Sequence, residues 1–182
     1  MKTITVPARD QVSPESQSLF DILQKRTGKV PNLYATMGYS SHALKAFMNL
    51  EEALTGGAFT PKEKEAVALV VSEVNGCEYC LAGHTILAIK RGFTKEETLE
   101  IRKGEVSDPR LNTIIQLAKA ITETKGYPDE KYLTGFYDAG FNEGALMELV
   151  GLVVVRIFTN YVFALTHVPI DFPMAEPLKK PI

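Results

Sequence analysis

Cysteine is scarce in this chain. Its 182 residues hold two, Cys77 and Cys80, three positions apart. Charge of one sign is lacking too: 20 Lys and Arg face 22 Asp and Glu, for a net charge of −2. That balance gives no footprint for nucleic acid or an anionic membrane. No basic segment followed by an apolar one opens the chain, so the expectation is a cytoplasmic protein without a secretory signal. There, a lone Cys-x-x-Cys reads as redox-active or metal-binding rather than as a structural staple. A second Cys/His pair at ligand spacing is also missing. Cys77-x-x-Cys80-x-x-x-His84 offers three ligands where a structural zinc takes four, so neither a metal nor another cofactor is expected.

What is present is enough for one domain, residues 1–182, with a substantial core: hydrophobic residues make up 45% and charged residues 23%. Strand-like alternation is confined to Lys2–Pro7, and no linker is long enough to divide the chain. Helical segments are set off by Gly, Pro and Asn. Pro14–Thr27 stops at Gly28, Leu33–Tyr39 follows Pro31-Asn32, and Ala43–Thr55 is capped by Ser40-Ser41. Thr60-Pro61-Lys62-Glu63 places a hydroxyl at the N-cap, proline at N1 and Glu63 at N3, starting a helix to about Val74. A cysteine-bearing helix runs to Arg91. Thr94-x-x-Glu97 is another capping box, for a helix ending near Gly104. Asp108–Lys125, Asp129–Ala139 and Asn142 to about Val168 complete an all-α bundle of about eight helices, with an extended Pro-rich tail. Leu149–Ile170 carries Arg156 as its only formal charge. A guanidinium inside such a stretch costs about 2.5–3.5 kcal/mol at a bilayer centre, and Asn160 and His167 add to that. A buried or interface helix is expected, not a membrane span.

The chemistry concentrates between Glu65 and His84. An apolar run leads into Asn75-Gly76, a turn signal, and both cysteines fall in the first turn of the next helix. A helix N-terminus favours thiolate over thiol through its partial positive charge and free N–H groups. Residues 77, 80 and 84 share one helical face. A dithiol and a base on one face are the minimum equipment for thiol redox chemistry. The bland alternatives are cysteines as small buried hydrophobes and His84 as a satisfied core histidine. Periodicity does not place Glu65 at the site. Glu73 is closer to the turn, as a cap or pairing partner. Tyr79, between the cysteines, can donate a phenolic hydrogen bond or simply pack.

At Glu65–His84, with Ser72 and Asn75-Gly76-Cys77-x-x-Cys80-x-x-x-His84, the chain resembles the carboxymuconolactone decarboxylase-like superfamily, in its alkylhydroperoxidase D-like, peroxidase-related branch. Pro31-Asn32-Leu33 and Pro169-Ile-Asp-Phe-Pro173 look like the peroxidase-related members. The resemblance implies an alkylhydroperoxidase D-like helical fold, a homo-oligomer (trimer or hexamer) and cysteine peroxidase activity. Carried over, Cys80 is the peroxidatic thiol, Cys77 the resolving thiol, His84 the base and Glu65 the far end of a proton relay. The characterised pattern has a second histidine where this chain has Tyr79, a poor proton shuttle at neutral pH with a reference pKa of about 10.

The leading expectation is thus a peroxidase with a small peroxide substrate and a protein or lipoyl-type dithiol as electron donor. A disulfide reductase or redox adaptor, or a non-enzymatic oligomeric redox sensor, would use the same cysteines.

Overall fold

The computed structural model describes residues 4–178, and among these it has nine α-helices and no strand. They are α1 Pro14–Thr27, α2 Asn32–Met37, α3 Ser41–Ala53, α4 Pro61–Val74, α5 Glu78–Lys90, α6 Lys95–Lys103, α7 Pro109–Thr124, α8 Glu130–Asp138 and α9 Glu143–Thr166. The expected bundle of about eight is therefore a bundle of nine, with each boundary within about two residues of its sequence signal. Of the strand-like segment, residues 4–7 form no strand, the Thr5 carbonyl accepting instead from the Tyr39 hydroxyl at 3.0 Å, and the rest lies outside the described residues.

Local chemistry explains the boundaries. Thr60 and Glu63 form a reciprocal capping box, as do Thr94 and Glu97. Asp108 and Asn142 accept the N–H groups of Leu111 and Ala145. Each such cap removes one of the four orphan donors at a helix start and contributes about 1 kcal/mol. α9 stops two residues short of Val168 because His167 turns left-handed, at φ 48°.

α4 is the central rod. Glu65 to Ser72 is buried without a break, and α5, α6, α7 and α9 all pack against it. Burial on every side explains why the sequence shows no amphipathic phase there. One core joins α4 to α5–α9 through residues such as Leu69, Ile115, Phe136 and Leu149. A second holds α1, α2 and α3 against Val155 of α9. A third and smaller one surrounds the cysteines with Leu33, Tyr79 and Val168.

The turn between α4 and α5 is fixed from three sides. Gly76 takes φ 63°, a left-handed position that glycine reaches without strain. The Cys77 N–H donates to the Ser72 carbonyl at 2.9 Å. Asn160 of α9 accepts from Asn75 at 2.9 Å and donates to the Ser72 hydroxyl at 3.2 Å. These bonds set the start of α5, and so the cysteines, against the middle of α9.

α9 is long and apolar enough to cross a membrane by length and composition. It packs, however, on α2, α3, α4, α5 and α7, and its buried face carries Arg156, Thr159 and Asn160. These contacts support the core-helix reading.

Candidate active site

Cys77 is the N-cap of α5, and its sulfur accepts the N–H of Cys80 at 3.2 Å. The two are joined as a disulfide with Cα atoms 5.3 Å apart, in the usual range for a bridge. It closes a four-residue loop and constrains little of the unfolded chain. Both cysteines are almost fully buried. The Cys80 sulfur lies 3.8 Å from the hydroxyl of Thr159, which donates its own proton to the Arg156 carbonyl at 2.9 Å.

His84 follows one turn later. Its Nδ1 lies 2.7 Å from Glu65 Oε2, bringing together residues 19 apart in sequence. Arg91 donates to the other oxygen of Glu65 at 3.1 Å. The second ring nitrogen, Nε2, lies 2.8 Å from an Arg156 guanidinium nitrogen. A guanidinium has only donors, so Nε2 must accept and Nδ1 must carry the proton given to Glu65. His84 is thereby held as the neutral Nδ1–H tautomer. Arg156 also pairs with Glu51 of α3 and lines the same two cavities as Tyr34 of α2. Burial pushes the Arg156 pKa below its usual value and the Tyr34 pKa above it.

Two cavities flank this group. One, of about 340 Å³, reaches Cys80 between largely apolar walls that include Leu33, Ile86 and Phe172. The other, of about 430 Å³, opens beside Glu65. Thr27, Tyr34, His84, Leu87 and Arg156 line both.

Tyr79 and Glu73 have other partners. Tyr79 donates to Asp171 of the C-terminal tail at 2.5 Å and accepts the Leu33 N–H at 3.2 Å. Its ring packs edge-on against Phe172, centroids 5.5 Å apart. Burial first, then the bond to Asp171, pushes the Tyr79 pKa far up. Pro31-Asn32-Leu33 and the Pro169–Pro173 stretch, remote in sequence, thus meet at this one phenol. Glu73 is engaged by buried Arg102 at 2.7 Å, and Arg102 also grips the Glu176 carbonyl. Glu73 therefore anchors the tail.

The tail clasp yields a stability prediction. Burial works against the Asp171 carboxylate, but the bonds from Tyr79 and Lys29 outweigh it and hold its pKa below the ordinary value. A carboxylate with a lowered folded pKa stabilises above its unfolded pKa, about 3.9, and loses that contribution as pH falls through the folded value. Asp171→Asn is expected to cost about 1–2 kcal/mol at pH 7. Thermal melts of variant and wild type should converge at strongly acidic pH; a constant gap would show that the charge is not what holds the tail.

Sequence reasoning did not single out Tyr34, Glu51, Arg91, Thr159 or Asp171. Arg156 did leave a signal, as the lone charge in an apolar stretch: a charge there needs a buried partner or a task.

Comparison with known proteins agrees with this architecture. Residues 41–123 match the model of the Carboxymuconolactone decarboxylase family; that segment runs from α3 into α7 and holds Glu65, Cys77, Cys80 and His84. That match spans somewhat less than half of the chain, so over this segment the chain is similar to the family. It is 28% identical over 94 residues to YdfG of Bacillus subtilis (strain 168), described as uncharacterized. That match covers 49% of this chain and 64% of the relative, so the chain spans less than two thirds of it. The debrominase Bmp8, solved as its C82A variant with 2,3,4-tribromopyrrole, superposes with TM-score 0.79 at 19% identity, covering 94% of this chain and 92% of that one. The alkylhydroperoxidase AhpD core protein of Ralstonia eutropha JMP134, called peroxidase-related, gives TM-score 0.78 at 18% identity over 88% and 87%.

Proposed function

We propose that the protein is a cytoplasmic, thiol-dependent peroxidase that reduces hydrogen peroxide or organic hydroperoxides. The observation that carries this reading is the Cys77–Cys80 pair at the start of α5, with Cys80 on a 340 Å³ cavity and the Glu65–His84 pair one turn away. The family and the peroxidase-related neighbours support it. In the cycle, the Cys80 thiolate attacks the terminal peroxide oxygen. The O–O bond breaks, Cys80 becomes a sulfenic acid, and the alkoxide leaves as alcohol after taking a proton. Cys77 then attacks the sulfenic sulfur, forming the disulfide and releasing water. A protein or lipoyl-type dithiol returns two electrons and two protons. No metal or other cofactor enters this cycle.

His84 is the base in this reading, and Glu65 orients it and offsets the imidazolium charge. His84→Gln is expected to slow peroxide consumption about 100-fold, and Glu65→Gln about 10-fold. In both, the pH of half-maximal Cys80 alkylation should rise. Unchanged alkylation profiles in both variants would remove the pair from the mechanism.

The test of the function itself is a steady-state assay with hydrogen peroxide, alkyl hydroperoxides and a panel of dithiols. Two further arms separate the rivals. Faster exchange with protein disulfides than with any peroxide would favour a reductase or adaptor. Oxidation that stops at one equivalent with every donor would favour a redox sensor. The fold shared with debrominase Bmp8 adds 2,3,4-tribromopyrrole to the substrate panel. We further propose a homo-oligomer, a trimer or hexamer, as the working form.

A further inference from the structure

The disulfide form leaves the base with nothing to do. Cys80 has no proton to give, and the lone pair of His84 Nε2 is occupied by Arg156 at 2.8 Å. Two other contacts hold this arrangement. Glu65 holds the opposite ring nitrogen at 2.7 Å, Glu51 pairs with the guanidinium, and Tyr34 lines both cavities beside it. Of the cations lining the two cavities, only Arg156 lines both. It is 7% exposed, reached from the Cys80 side and from the Glu65 side, and it lies outside the segment that matches the family model.

Once the disulfide is reduced, this arrangement conflicts with proton transfer. If the Cys80 thiol passes its proton to Nε2, both ring nitrogens become donors. The Nε2–H would then point at a guanidinium that has no acceptor, with two positive charges in contact. The same guanidinium lines the cavity into which Cys80 faces, so the new thiolate is the nearest negative charge created by the transfer. Glu51 can hold Nη2 of the guanidinium while the N–H groups of Nη1 change partner.

We propose that Arg156 is a redox-dependent positioning residue. In the disulfide form it sits on His84 and keeps it neutral with Nε2 occupied. In the dithiol form it releases Nε2 and turns its N–H groups to the Cys80 thiolate. The proton passes from Cys80 Sγ to His84 Nε2; the Nδ1–H stays on Glu65, and no electrons move. One side chain thus blocks the base when there is nothing to deprotonate, and stabilises the product when there is. This inference rests on Cys80 being the reactive thiol of the proposed peroxidase.

Imidazole ¹⁵N spectra of the full chain, in disulfide and dithiol forms at neutral pH, test it. The wild-type disulfide form should show His84 with Nδ1 protonated and Nε2 bare. The dithiol form should show protons on both nitrogens, paired with a thiolate at Cys80. Arg156→Met combined with Glu51→Gln removes both members of the buried ion pair, so no carboxylate is left unpaired. It should abolish the single tautomer in the disulfide form. It should also raise the pH of half-maximal Cys80 alkylation by about one unit, a tenfold loss of thiolate below that pH. Arg156→Lys retains the charge and should recover part of that shift; this variant also covers the case in which the double variant does not fold. A bare Nε2 persisting in the wild-type dithiol form, or wild-type alkylation in the lysine and double variants alike, would overturn the proposal. Loss of peroxide turnover as an activity, with these spectra as expected, would instead count against the peroxidase reading alone.

Discussion

Cys80→Ser is expected to abolish peroxide consumption, a loss of about 1,000-fold or more, while Cys77→Ser consumes one equivalent and stalls. The asymmetry follows from position. Both sulfurs belong to the start of α5, but Cys77 is its N-cap and nearly fully buried, with its sulfur against the Cys80 N–H. Cys80 faces the 340 Å³ cavity, touches Thr159 and lies one turn before His84. Removing a nucleophile removes the covalent step itself, so serine leaves only background reaction. Removing the resolving thiol leaves the first step intact and strands the sulfenic acid, which dimedone-type reagents capture. Mass spectrometry of each single variant after one equivalent of peroxide reads the result directly. Adduct on Cys77 in the Cys80 variant, and none on Cys80 in the Cys77 variant, would reverse the roles. Oxidation of neither would move the chemistry away from peroxide, toward disulfide exchange.

Much of the fold was legible because its boundaries are written in local chemistry. Thr60-Pro61-x-Glu63, Thr94-x-x-Glu97, Asp108-Pro109 and Asn142 each act through side chains within three residues, and each caps the helix it announces. The dithiol was legible for the same reason: helix start, turn glycine and i, i+3 spacing are all local. The Glu65–His84 contact was not. α4 is buried on all sides, so its sequence has no phase from which to tell where Glu65 points. Only the family resemblance brought Glu65 forward, and docking of α4 on α5 makes the contact. Tyr79 shows the opposite limit. One residue from Cys80 in sequence, it is turned about 100° away around the helix and meets the tail at Asp171, 92 residues later. Arg156 stands 72 residues from His84. Its isolation in an apolar stretch argued that α9 is not a membrane span, yet no local rule names the partner such a charge needs.

The last expected result concerns assembly, and it also comes from α9. Met147, Val150, Val154, Phe158, Tyr161 and Leu165 are all exposed, from 37% to 79%. At about 100° per residue they fall within an arc of about 80°, on the side of the helix opposite Arg156. The inner face is polar where it meets the site, and the outer face is an apolar stripe from Met147 to Leu165. That is the reverse of a solvated helix, and a second copy of the chain carries the complementary surface by symmetry. A stable contact needs about 800 Å² per partner, which a stripe of six large side chains with its flanks can supply. Light scattering at micromolar concentration should therefore give a multiple of 20.1 kDa, and the double variant Val154→Asp/Phe158→Asp should give the monomer. Two carboxylates at the centre of such a contact would be desolvated without partners, at several kcal/mol in total, enough to shift dissociation by ~1,000-fold or more. Both side chains are more than a third exposed, but Phe158 also lies against Phe47 of the second core, centroids 6.1 Å apart, so helical circular dichroism of the variant must match wild type for the result to count. A wild-type monomer of about 20 kDa with full activity would defeat the assembly proposal and leave the thiol chemistry of α5 untouched.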